Sequence, residues 1–421
     1  MIKNKIKLIQ NNKKIKNFII YGFGQAINLI SPLLIIPYIV FICGEAGFGK
    51  IGLGISLAFF LILIVDYGSD IHGTKEVSIN REVPEKIKEI LVTVYSAKFL
   101  LLLFVILFTL LLVNFVPFFA EEKTLFFLSI TMVIAQFINP IWFLQGVENY
   151  KLVTIINVGS KLIYVVSVFL VIKNPQDYIY ANLCLGGGSF IANSLGFLWV
   201  KNKYDFHFKN VDWQKVKQLL RKDFSFCVSQ LFLSLRQFVP IMLISYFGGY
   251  LMAGQYKILE QIIMLFRTYL QMFSRFFYAS FCLELSKSTR IGIAMWRKFN
   301  GLNVIFILGL LLILFCAASY VLVFFKIDLE SIDRLTFLLR IALLVPMFIS
   351  LSLPLEQLMF GLNKNKIYIK IAISITVFNI ILTTLLLPRF ELLGVITSLI
   401  VTEALFVVLY YIILKGYFKK G

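Results

Sequence analysis

Charge is scarce in this chain, and most of what there is has one sign. Only 15% of its 421 residues are Asp, Glu, Lys or Arg, and 41 basic residues stand against 22 acidic ones. The scarcity excludes a soluble globule, because 59% of the chain is hydrophobic and its mean hydropathy is +0.87, more apolar surface than water-facing packing hides. The two histidines, His72 and His207, have no neighbours that would make a metal site or a catalytic dyad. The five cysteines (Cys43, Cys184, Cys227, Cys282 and Cys316) are scattered without a close pair, which argues against disulfides and metals. No Gly-rich phosphate loop ending in Lys-Ser/Thr occurs, so nothing here hydrolyses ATP, and no cofactor is implied.

What the chain has is length in its apolar runs. Twelve are read at 18–42, 49–72, 90–114, 124–145, 152–172, 178–200, 223–248, 255–283, 299–325, 334–360, 367–387 and 394–414. Each has about the 20 residues that a helix needs to cross about 30 Å of hydrocarbon. The expected fold is an all-α, multi-pass integral membrane protein. The basic excess has its explanation in orientation. With the N-terminus in the cytoplasm, 27 of the 41 Lys and Arg fall in cytoplasmic segments, as the positive-inside rule requires. Both termini are then inside, anionic inner-leaflet lipids are the natural partners of this charge, and no nucleic acid is needed to account for it. The resulting organisation is a basic amphipathic N-terminus (1–17, with Ile2, Ile6 and Ile9 at helical spacing), an N-lobe (18–200), a cytoplasmic linker (201–222), a C-lobe (223–414) and a tail (415–421). The linker carries an apolar stripe at Val216, Leu219 and Leu220 and reads as a second interfacial helix.

Helix breakers fall in the same places in both halves. Pro32 and Pro37 lie in span 1, Pro140 in span 4, Pro240 in span 7, and Pro346 and Pro354 in span 10. Each removes a backbone N–H where no water replaces it, so the freed carbonyls must face protein or a wet cavity. Breaks at corresponding places in two halves point to a transport pathway and to gating. Ala46-Gly47 followed by Lys50-Ile51 is echoed 207 positions later by Ala253-Gly254 and Lys257-Ile258. Six spans is an even number, so the halves share one orientation about an axis along the membrane normal.

Intramembrane charges mark the candidate chemistry. They are Lys98 in span 3, Lys161 in span 5, Arg236 in span 7, Glu260, Arg267 and Arg275 in span 8, Arg340 in span 10 and Glu403 in span 12. Such groups cost at least about 2.5–3.5 kcal/mol at mid-bilayer and so face a bundle interior or water. Six cations against two carboxylates favour an anionic ligand. Glu260, Arg267 and Arg275 line one broad face of span 8, within reach of a Glu260–Arg267 pair. Asp66, Asp70, His72 and Glu356, near cytoplasmic ends, read as structural. The Gly186-Gly187-Gly188 run reads first as close helix packing.

Several runs have a familiar wording. They are Pro140-Ile141-Trp142-Phe143-Leu144-Gln145-Gly146, Asn157 through Lys161-Leu162-Ile163, Asp66-Tyr67-Gly68, Leu387-Pro388-Arg389-Phe390 and Thr402-Glu403. Together they resemble the Wzx-type polysaccharide flippases of the multidrug/oligosaccharidyl-lipid/polysaccharide (MOP) exporter superfamily, along essentially the whole chain. Two places depart from the pattern: Phe41-Ile42-Cys43-Gly44 lacks a basic residue before its glycine, and Tyr278-Ala279-Ser280 stands where tyrosine-proline is common. The resemblance implies a V-shaped pair of six-helix lobes in the bacterial cytoplasmic membrane. It implies a transporter, not an enzyme, that moves undecaprenyl-diphosphate-linked oligosaccharide for O-antigen or capsule assembly, with the polysaccharide polymerase as a partner. In that reading Arg236, Arg267, Lys161, Arg275, Lys98 and Arg340 contact diphosphate and sugar. Glu403, and less so Glu260, would couple the cycle to a proton or cation gradient. The rivals are a membrane polymerase or ligase, which needs a large external loop that is missing here, and a multidrug exporter, which would favour N-lobe carboxylates.

Overall fold

The computed structural model describes residues 13–208, 211–362 and 364–418, and these form helices and turns without a strand among them. The long helices are α1 (Lys13–Asp66), α2 (Pro84–Phe115), α3 (Lys123–Phe137), α4 (Tyr150–Val171), α5 (Ala181–Tyr204), α6 (Trp213–Lys287), α7 (Thr289–Cys316), α8 (Leu329–Ala342), α9 (Leu344–Gly361) and α10 (Asn365–Phe418). Nine helical stretches among the described residues are long and apolar enough to cross a membrane. Three of those nine are each divided by one non-helical residue: Gly44 in α1, Gly249 in α6 and Glu391 in α10. These nine stretches make this a multi-pass helical membrane protein.

Gly44 (φ 71°, ψ 171°) and Gly249 (φ 76°, ψ 177°) share one backbone conformation that only glycine enters readily. They lie just before the two Ala-Gly echoes, so the repeat in the sequence is also a repeat in the backbone. Glu391 (φ 51°) is not a glycine, and Arg334 holds its carboxylate.

Two compact units divide the chain, 1–234 and 235–421, with the boundary inside α6. In the first, α5 packs on α3 and α4, and α1 packs on the same two helices. Small residues allow the closeness. A Cβ on Gly186 would come within 2.7 Å of the Met132 backbone nitrogen, and one on Gly188 within 2.8 Å of the Ser160 carbonyl. The triple glycine therefore serves packing. The Pro140 motif builds the core at one end of this unit. Trp142 and Phe143 are buried among Tyr95, Val77, Val153 and Phe206, with Gly73 and Gly146 making room for Trp142 and Val77.

The linker differs from its expected form. Residues 201–204 end α5, while 213–222 open α6 and run without a break into span 7. Val216 is buried and Leu219 packs against the first unit's core, so the apolar stripe meets protein instead of lipid. Tyr67 donates to the Leu220 carbonyl at 2.8 Å, and His72 meets Asp223 at 2.6 Å. Of the basic N-terminus expected at 1–17, residues 1–12 lie outside the described residues, as do 419–421 of the tail.

The prolines divide into two groups. Pro140 follows a true helix end at Phe137, and Pro346 lies in the first turn of α9, just after the end of α8 at Ala342. Pro32, Pro37, Pro240 and Pro354 are carried inside helices. At Pro140 the freed backbone is satisfied by protein: Asn193 donates to the Ala135 carbonyl at 2.8 Å, and Tyr95 to that of Asn139 at 3.4 Å.

In the second unit, α9 packs along α10, with α7 against α9. A Cβ at Gly44 or Gly249 would touch nothing within 4 Å, so Gly44→Ala and Gly249→Ala test backbone strain alone. Each is expected to destabilise the protein by about 1–3 kcal/mol, read as a lower thermal midpoint of purified protein in detergent. Wild-type midpoints for both would show that neither glycine is conformationally required.

Candidate functional site

Within each unit the described intramembrane charges have settings of their own. In the first unit, Lys98 is 1% exposed and bonds Asp66 (8% exposed) at 2.8 Å. Ser69 also donates to Asp66, from a π-helical turn at Ser69–Gly73, and Asp70 is hydrogen-bonded to the same carboxylate. The Lys98 ammonium lies 5.9 Å from the Trp142 ring. Lys98 is therefore held in a neutralising pair, and the acid set aside at a helix end is its partner. Lys161 has a different setting. It is half-buried with its ammonium 6.0 Å from the Tyr164 ring, and no carboxylate reaches it among the described residues.

In the second unit, one carboxylate gathers two arginines. Glu403 is 4% exposed, and its Oε1 accepts from Arg267 at 3.1 Å and lies 3.6 Å from the Arg236 guanidinium. Ser352 donates to Oε2 at 3.2 Å. Arg236 lies over the Phe406 ring, 4.9 Å from its centroid. The Nε of Arg267 is buried and has no acceptor among the described residues, so this guanidinium keeps a spare donor. Glu356 is within electrostatic reach of Arg236, Arg267, Glu403 and Tyr368. It belongs to this site, although its place in the sequence near a helix end gave it a structural reading.

Two further expectations change. Glu260 pairs with Lys257 at 2.5 Å, three residues back on the same helix, and not with Arg267. Side chains three apart, within one turn, meet more easily than those two turns away, and Glu403 reaches Arg267 from another helix. Arg340 is exposed; its Nε donates to the Phe315 carbonyl at 3.3 Å and its guanidinium covers the Phe315 ring. It ties α8 to the end of α7 and takes no part in the arginine pair. The side chain of Arg275 lies outside the described residues. The polar stripe that runs on from Arg267 comprises Gln271, Ser274 and Tyr278, at helical spacings of four, seven and eleven.

Those residues line a cavity of about 340 Å³ with Leu353, Glu356, Gln357 and Phe360 of α9. Sequence reading passed over them because uncharged polar residues in a span carry little signal singly. The periodicity of 353, 356, 357 and 360 on a proline-bearing helix was the signal available.

Matched against known families, residues 15–276 fit the one described as Polysaccharide biosynthesis protein. The chain belongs to that family. Among curated relatives of this polysaccharide biosynthesis protein, one from Escherichia coli (strain K12) named "Putative O-antigen transporter" is 23% identical over 394 residues, covering 93% of this chain and 94% of the relative. A protein of the same name from Shigella dysenteriae is 24% identical over 258 residues, covering 59% and 62%. The fold matches that of lipid II flippase MurJ in an inward closed conformation, with a TM-score of 0.75, 14% identity and coverage of 94% of this chain and 87% of that one. It also matches an inward-facing multidrug resistance MATE family transporter of the MOP superfamily, with a TM-score of 0.68, 13% identity and coverage of 94% and 96%. The expected polysaccharide family and the expected transporter fold are thereby borne out.

The Lys98–Asp66 pair makes a stability prediction. Lys98→Met leaves a buried carboxylate without its cation and is expected to cost about 3–5 kcal/mol. Adding Asp66→Asn should recover a substantial part of that loss in a thermal double-mutant cycle. Strictly additive losses would mean the two residues do not act as a pair.

Proposed function

We propose that this protein is a flippase for undecaprenyl-diphosphate-linked oligosaccharide repeat units, moving them from the inner to the outer leaflet of the bacterial cytoplasmic membrane for O-antigen or capsule-type polymers. The observation that carries this reading is the buried Glu403 carboxylate shared by the half-buried Arg236 and Arg267 in a polysaccharide-biosynthesis chain with a MOP transporter fold. A diphosphate crossing a membrane needs donors that replace its water, and guanidinium is the side chain best suited to phosphate oxygens.

The geometry supports an exchange of partners. At rest both guanidiniums are turned to Glu403, so the arginines do not face hydrocarbon uncompensated. An arriving diphosphate offers more negative charge and more acceptor oxygens than one carboxylate. It takes the arginines, and Glu403 and Glu356 lose their counter-charges. Those carboxylates then require another cation, which is where coupling to a proton or cation gradient enters. In this reading the two lobes alternate between inward- and outward-open states, twelve spans place both termini in the cytoplasm, and the lipid tail stays in the bilayer. The polymerase that consumes the flipped unit is the expected partner.

The experiment is to find which lipid-linked intermediate accumulates in cells without this protein, and on which leaflet. Complete, unpolymerised oligosaccharide-diphosphate lipid on the cytoplasmic side is the expected result; accumulation on the outer leaflet would make the protein a polymerase or ligase. Binding makes a second prediction of opposite signs. Arg267→Ala should weaken binding of undecaprenyl diphosphate to purified protein by about tenfold or more, since a hydrogen bond to a charged group contributes about 1.5–3 kcal/mol. Glu403→Gln should tighten it, because the diphosphate no longer competes with a carboxylate. Weaker binding in both variants would overturn the exchange.

A further inference from the structure

The cavity between the second arm of α6 and the end of α9 has a composition that the phosphate site does not require. Its walls are two facing helical stripes. One carries Gln271, Ser274 and Tyr278 and continues from Arg267; the other carries Glu356, Gln357 and Phe360. The side-chain amides of Gln271 and Gln357 have no hydrogen-bond partner among the described residues. Gln271 is exposed and Gln357 half-buried on the cavity wall, so both amides are open to an occupant. A ligand rich in hydroxyls can match them.

Glu356 and Phe360 are held in place from behind. Tyr368 of α10 lies in electrostatic contact with Glu356, and its ring packs on Phe360 with centroids 4.7 Å apart. The cavity thus presents two planar amides and a carboxylate, each offering paired donor or acceptor positions, beside two aromatic rings. A ligand fitting this set has a rim of hydroxyls and an apolar C–H face. An acyl chain would leave the amides unmatched, and a cationic drug would find one carboxylate already opposed by arginines. At about 340 Å³ the space suits a sugar residue and not a whole oligosaccharide.

We infer that this cavity is the sugar-recognition subsite of the transporter, which holds a monosaccharide of the repeat unit by its hydroxyls while Arg236 and Arg267 hold the diphosphate. The inference rests on the flippase reading and adds the residues that set specificity. Glu356 stands in both places: it lines the cavity and lies in the field of both arginines. Sugar and phosphate are therefore bound along one continuous stripe. A site that hydrogen-bonds a hydroxyl discriminates strongly against a ligand without it, since its own polar groups are then left unmatched.

The test uses full-length purified protein and two probes, undecaprenyl diphosphate and the oligosaccharide-diphosphate lipid extracted from cells lacking the protein. Wild type is expected to prefer the sugar-bearing lipid by about tenfold or more, equivalent to about 1.4 kcal/mol. The double variant Gln271→Ala/Gln357→Ala should bind undecaprenyl diphosphate as wild type does and lose that preference to within about twofold. Leu353→Trp, which fills the cavity from its apolar wall, should lose the preference too and guards against a folding artefact of the double variant. Retention of the full preference by both variants, or equal wild-type affinity for the two probes, would overturn the subsite and leave the flippase reading intact. Binding of neither probe by wild type would overturn both.

Discussion

Hydrocarbon offers nothing to a polar group, so every donor, acceptor and charge inside the spans must find its partner in protein, in substrate or in a wet cavity. Much of the structure follows from that constraint. Where Pro140 interrupts a helix, Asn193 and Tyr95 reach across from other helices to the exposed carbonyls. Where Lys98 falls inside the first unit, Asp66, Ser69 and Asp70 are arranged around it. Where Asn379 lies buried in α10, Thr402 and the Ser398 carbonyl accept from its amide. Some groups among the described residues escape this accounting: the Arg267 Nε, the Lys161 ammonium and the amides of Gln271 and Gln357. So do the Trp142 Nε1, the Asn182 and Asn379 Oδ1 atoms and several hydroxyls elsewhere, so a missing partner alone does not mark a site.

The two units use one plan for different ends. The same glycine conformation at Gly44 and Gly249 and helix interruptions next to Pro140 and Pro346 show a duplicated framework. The contents have diverged. In the first unit the buried cation of span 3 is matched one-to-one by a carboxylate and fixes packing beside the Trp142 core. In the second, two cations share one carboxylate, an arrangement with a spare donor and an adjoining cavity. A one-to-one buried pair resists exchange because breaking it strands both charges. A shared carboxylate does not, since either arginine can turn to a ligand while the other keeps the anion neutralised.

How much of this could be read from residues alone varied with the kind of signal. Apolar run length and breaker placement carried the membrane fold and the repeat, because bilayer thickness and lost N–H groups act on each segment locally. Arg236, Arg267 and Glu403 were legible as intramembrane charges, but their pairing was not: the partner of Arg267 lies 136 residues away on α10, and the spacing within span 8 pointed to Glu260 instead. Asp66 has the structural role read for it, but its pairing with Lys98 and the nearness of Glu356 to the arginines were not legible. Distance from a helix end along the chain is a poor measure of burial when a neighbouring helix covers that end. The linker was misread because an apolar stripe among lysines looks the same whether it meets lipid or the flank of a helical unit; Val216 and Leu219 meet the latter.

The shared carboxylate also limits how tightly a substrate can be held. A lone pair of arginines in a dry site would bind a diphosphate so strongly that its release on the far side would become slow, and turnover requires release. With Glu403 always available as a competing anion, each guanidinium that leaves the phosphate has a partner waiting within about a hydrogen bond's reach. Binding is weakened and the barrier to departure falls with it. Discrimination must then come from elsewhere, because phosphate contacts made in competition cannot be both loose and selective. A sugar-binding wall built from neutral amides and aromatic rings can supply it without adding charge that the membrane would oppose. The proposed division of labour, with arginines that exchange and amides that select, answers the need to move an anionic, sugar-bearing lipid head through a medium that tolerates neither its charge nor its hydroxyls.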